Sequence, residues 1–184
     1  MKPAWMNTVT WIAIAVLALV LAVMGPKESS VMGKLRLFQG NQQPDHTSDA
    51  LPPGFGAERT LALISFSKDH RPVVEGWIKG LQLQNDPSIA WVRMPVLNDP
   101  GNATGRDLIE NRIRARYPTD QERANLLPVF TDRAAFVQSA GLSDTEHAYV
   151  LVINRQGEVL ARVEGQFDED KAQALRETLT MQGL

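Results

Sequence analysis

Within "FSKDHRPVVEGW", residues 66–77, five adjacent side chains gather much of the chemistry this chain offers in one place: Lys68, Asp69, His70, Arg71 and Pro72. An imidazole beside a carboxylate serves hydrolysis only when a nucleophile lies within reach. Ser65 and Ser67 are the near hydroxyls in sequence, but neighbouring strand residues point to opposite faces and no nucleophile-elbow motif is present. The 184 residues contain no cysteine, so thiol nucleophiles, thiolate metal sites and disulfides are all excluded. The turn therefore reads as a recognition surface rather than a catalytic one.

The elements that position this turn follow a regular order. "RTLALISF" is a buried-strand pattern, and Pro72 then stands in a first helical turn, where its missing N–H costs little. Val73, Val74, Trp77, Ile78 and Leu81 continue at helical spacing. "SIAWVRMPVL" is a second strand, with Pro95 suggesting an edge or a bulge. "RDLIENRIRARY" is an amphipathic helix with Leu108, Ile109 and Ile113 expected inward and Pro118 as its stop; the polar stretch "TDQERANL" follows. "LPVFTD" is a third strand, after which Thr131 or Asp132 can cap "RAAFVQSAGL" and Gly141 can end it. "YVLVI" and "VLARVE" flank the Gly-bearing turn "NRQGE", a hairpin signal. Asp168 caps a last helix whose Ala172, Leu175 and Leu179 form an inward stripe. Trp77 and Trp91 are expected in the core.

Composition narrows the function classes. With 43% hydrophobic and 22% charged residues the chain is globular, and a net charge of -2 gives no general attraction to nucleic acid or anionic lipid. Arg106, Arg112, Arg114 and Arg116 share their stretch with Asp107 and Glu110, which reads as a solvated face of mixed sign. "PGNATG" lacks the lysine of a phosphate-binding loop, no cofactor is expected, and the "NAT" at Asn102 matters only in a eukaryotic secretory chain.

Residues 8–25, "TVTWIAIAVLALVLAVMG", carry no charge and are long enough as a helix to cross a bilayer, with Trp5 and Trp11 near one end. Residues 1–25 are expected to be a membrane anchor. The other reading is a signal peptide cut near Val20 and Ala22. Lys27, Lys34 and Arg36 outnumber Lys2 and favour a cytoplasmic domain, whereas a short N-tail bearing Lys2 looks like an ordinary signal-anchor. The expectation adopted is a single-pass protein with an extracytoplasmic, periplasmic C-terminal domain. Residues 26–56, rich in Gly, Pro, Asn, Gln and Asp, are expected to be a flexible tether, within which "SVMGKLRLFQG" reads as a short strand or a membrane-proximal helix. The folded domain is expected at 57–184.

The order strand, helix, strand, helix, strand, helix, hairpin, helix resembles the thioredoxin-like superfamily, in particular its membrane-tethered and peroxiredoxin-type branches. The likeness is most specific in "AYVLVINRQGEVLARVEGQFDED" and implies an α/β sheet flanked by helices. Aligned on Pro72, the family's C-x-P-C falls on His70, Arg71, Pro72 and Val73, and its cis-proline falls near Ala148, just after His147. Both hallmarks are absent. Thiol–disulfide exchange needs a thiolate, so only the scaffold carries over. The resemblance also implies that His70 and His147 approach each other, and with Asp69 they form the candidate set for zinc or copper. The leading expectation is a membrane-anchored, non-redox binding or assembly factor for a membrane or periplasmic protein complex. Its contact surface would be Lys68, Asp69, His70, Arg71, Pro72 and His147, and the alternative is metal binding or delivery through His70 and His147.

Overall fold

The computed structural model describes residues 32–34 and 57–180. The expected membrane segment at 8–25 and most of the tether lie outside the described residues. Among the described residues no helix is long and apolar enough to cross a membrane.

Strand β2 (Arg59–Ser65) has an unbroken buried centre, and its alternation fills two cores at once. Ala62 and Ile64 face a cluster containing Phe136, Ala140 and Leu151. Leu61 and Leu63 face Val74, Trp77, Ile78 and Leu175. Burial on both sides is what a continuous apolar run requires of a strand, and it puts β2 inside the sheet. β2 runs parallel to β3 (Trp91–Asn98) and antiparallel to β5 (Tyr149–Asn154). A parallel neighbour needs a crossover, supplied here by helix α1 (Arg71–Gly80). β6 (Glu158–Glu164) pairs with β5 as a hairpin, β4 (Val129–Thr131) extends the parallel side, and β1 (Gly33–Lys34) closes the other edge. The strand order is β1-β6-β5-β2-β3-β4. The two core clusters place α1 and α5 (Glu169–Thr180) on one face and α4 (Arg133–Ala140) on the other.

Local chemistry fixes the ends of these elements. Asp132 caps α4 by accepting from the Ala135 N–H, and Gly141 ends it in the left-handed region. In the hairpin Gly157 has φ 75°, while the Asn154 side-chain oxygen accepts from the Gln156 and Glu158 N–H groups. Asp168 accepts from the Lys171 N–H at the start of α5. Trp77 and Trp91 are both buried, each donating its indole N–H to a carbonyl, of Gly165 and Leu83 respectively.

Four features differ from the sequence expectations. Pro95 marks neither an edge nor a bulge against β2, with which it stays in register opposite Ser65. It sits where the pairing of β3 with the β4 segment breaks, between the Arg93–Leu126 bridge and the Val96–Val129 pair. Arg93 exchanges hydrogen bonds with that segment, so period two turns the N–H-less side of Pro95 towards the same gap. Helix α2 begins earlier than expected, at Ala103–Arg114, because Asn102 caps it. Leu108 on α2 is 60% exposed rather than inward, while Ile113 is buried. The polar stretch after Pro118 contains a helix, α3 (Asp120–Ala124), started by a capping box between Thr119 and Glu122. Gly33 and Lys34 form a strand, which is one of the two readings given for their segment. A Cβ on Gly33 would lie 2.5 Å from the Ala140 backbone, so the edge strand approaches the end of α4 at glycine distance.

Candidate functional site

The turn between β2 and α1 is a single 3-10 turn, Lys68–His70, capped by the Ser67 side chain accepting from the Asp69 N–H. Pro72 lies in the first turn of α1, where no N–H is needed. Lys68, Asp69, Arg71 and Pro72 are exposed, but His70 is turned inward and buried. Its Nδ1 accepts from the Phe66 N–H at 3.2 Å, so the proton resides on Nε2, which donates to the Glu146 carbonyl at 3.0 Å. Both ring nitrogens are thereby spent on backbone, and the turn is tied to the loop before β5.

Asp144 organises that loop. Its carboxylate accepts from the Glu146 N–H at 2.9 Å, the His147 N–H at 3.2 Å, His147 Nδ1 at 2.9 Å and the Tyr149 hydroxyl at 3.1 Å. The hydrogen bond from His147 is the main reason Asp144 is held below the usual carboxylate range. The same bond, aided by the charge of Asp144, pushes His147 above its ordinary value. Ala148, near which the resemblance would put a cis-proline, is buried just before β5.

The structure brings the turn and the loop together, as expected, but not into a metal centre. The contact runs from His70 to the Glu146 carbonyl, and His147 is paired with Asp144 instead. Among the described residues no group of three His, Cys, Asp or Glu side chains is placed to hold an ion. A metal on His70 would have to displace a backbone bond at one ring nitrogen. The hydrolytic arrangement is likewise not assembled, since Ser67 caps the turn and His70 bonds to no hydroxyl.

Beside the turn, at the carboxyl ends of β2 and β3, lies an open cleft of about 780 Å³. Five cations line it (Lys68, Arg71, Arg93, Arg116 and Arg133) against one lining carboxylate, Asp69. Arg133 donates to the backbone carbonyls of Val96 and Phe66 and so fixes α4 to the strand ends. Arg93 is 3% exposed, and its Nη2 lies 3.3 Å from each carboxylate oxygen of Glu75. The Tyr117 ring is 5.3 Å from the Arg93 guanidinium and 5.2 Å from that of Arg71. Sequence reasoning missed this cleft. The available signal was an arginine within the apolar strand "WVRMPV", because a buried charge needs a partner.

A β–α–β pair with parallel strands, an antiparallel hairpin added on one side, the order β6-β5-β2-β3 and helices on both faces define a thioredoxin-like domain. This one has no cysteine. No family profile matches the chain, and no curated protein does. Similar solved structures include the exposed lipoprotein thioredoxin Etrx1 of Streptococcus pneumoniae, at 12% identity over 68% of this chain and 88% of that one, TM-score 0.43. They also include BsSco, described as a member of the Sco family of cytochrome c oxidase assembly proteins, at 17% identity over 70% and 83%, TM-score 0.44. A thio-disulfide isomerase of Thermus thermophilus matches at 11% identity over 68% and 82%, TM-score 0.41.

Proposed function

We propose that this chain is a non-redox binding or assembly factor, held at a membrane by residues 1–25, whose domain engages a membrane or periplasmic protein complex. The observation that carries the reading is the His70 strut. At the position where a redox relative would place its first cysteine, the ring is buried and bonded at both nitrogens, so the turn is a rigid part of the surface. A thiolate, which exchange chemistry requires, is absent from the sequence. Around that strut Lys68, Asp69, Arg71 and Pro72 stand exposed beside the exposed Glu146 and His147. Polar groups fixed in place by buried backbone bonds are suited to recognition, because little ordering is left to do on binding.

The test is co-purification. The full chain, tagged at its C-terminus and extracted from its own membranes in mild detergent, is expected to bring down a protein partner in stoichiometric amount. The combined change Lys68→Ala, Arg71→Ala and His147→Ala is expected to release that partner while leaving the domain folded. A clean monomer, or a partner retained by the triple variant, would overturn the reading.

A further inference from the structure

We infer that the cleft at the ends of β2 and β3 binds a small organic oxyanion, a carboxylate or phosphate on an apolar body, with Arg93 as its buried anchor.

Arg93 carries the inference. A guanidinium offers five N–H donors in one plane. In Arg93 only Nη2 has an acceptor, Glu75, while buried Nε and Nη1 have none among the described residues. The faces of the guanidinium are covered by the rings of Trp91 at 5.0 Å and Tyr117 at 5.3 Å, which attract a cation but accept nothing in its plane. A buried charge with three of its five N–H donors unmet is a costly arrangement unless something supplies the missing acceptors. An oxyanion entering this cleft, which Tyr117 also lines, does so.

The surroundings suit such a guest. Lys68, Arg71 and Arg116 line the same cleft, and among the described residues none of them is in an ion pair. The whole chain carries a net charge of -2, so this cluster of cations is a local feature that focuses field into the cleft. Its lining also includes the apolar side chains of Leu63, Val74, Leu97 and Ile113. The volume falls within the range of small-molecule sites, and the carboxyl ends of parallel strands are where open α/β sheets place ligands.

The inference does not depend on the protein-partner reading, which is decided by co-purification. It is tested by calorimetric titration of the full chain, in nonionic detergent at low salt, with phenyl phosphate and separately with phenylacetate. Saturable one-to-one binding of at least one acid is expected, and which one it is distinguishes phosphate from carboxylate. Arg93→Met is expected to weaken that binding at least about tenfold. Arg116→Ala, at an exposed position that does not threaten folding, is expected to weaken it several-fold. Added salt reduces it. Benzyl alcohol, the ring without the charge, is expected not to bind, and inorganic phosphate is expected to bind more weakly than phenyl phosphate. Absence of saturable binding for both acids would overturn the assignment. So would an affinity unchanged in Arg116→Ala and in a folded Arg93→Met.

Discussion

His70 bonds to two backbone groups, the buried Phe66 N–H and the carbonyl of the exposed Glu146. His70→Leu keeps the bulk and removes both partners. Leaving a buried donor unsatisfied costs roughly 1–3 kcal/mol. The variant is therefore expected to lose about 2 kcal/mol of stability in a denaturant titration and to exchange the Phe66 amide faster. The Asp144–His147 pair makes a separate prediction about pH. His147 is raised above its ordinary 6.5, chiefly by the hydrogen bond to Asp144, so its contribution is fully present below 6.5 and is lost as pH rises through the raised value. Asp144 is lowered from 3.8, chiefly by the hydrogen bond from His147, so its contribution is present above 3.8 and is lost as pH falls through the lowered value. An NMR titration of the His147 ring is expected to give a midpoint above 6.5 that falls towards it in Asp144→Asn. At this scale the sequence made His70 and His147 visible as residues that matter. The resemblance brought the turn and the loop near each other, but periodicity and turn chemistry could not show that the His70 ring would bond to the Glu146 carbonyl, 76 positions away.

Elements with strong local signals were legible. The β2 run, the hairpin with its glycine, the Asp132 and Asp168 caps and the Gly141 stop all follow from period and turn chemistry. Helix α3 was not, since it has no buried residue and its one signal, the Thr119–Glu122 capping box, sits in a stretch without apolar periodicity. Leu108 misled for a related reason: spacing shows that a helix has an apolar side but not whether anything packs against it. The join of α1 to the segment before α5 gives a test at this scale. A Cβ on Gly80 would lie 2.4 Å from the Phe167 ring, which stacks edge-on against Trp77 at 5.2 Å. Gly80→Ala gains up to about 1 kcal/mol of helix propensity, but overpacking costs about 1–3 kcal/mol. A net loss of stability is expected in chemical denaturation, and adding Phe167→Leu is expected to relieve it.

For the whole molecule, the order of elements in the sequence resembled that of the thioredoxin-like superfamily, and it was this resemblance that implied the sheet. The cationic cleft was not implied, because its charges come from the turn, the start of α1, β3, α4 and the residues after α2, and only the assembled fold sets them side by side. Arg116 illustrates the difference. In the sequence it belongs to a helix of mixed charge, and in the fold it faces a space shared with Lys68 and Arg71. The ring of Trp91 lies against Arg93 at 5.0 Å, with its N–H held by the Leu83 carbonyl. An indole redistributes charge on excitation, so the colour of its emission depends on a cation resting against its face. The domain thus contains its own optical gauge of that guanidinium, while Trp77, packed against Phe167 instead, serves as the internal reference.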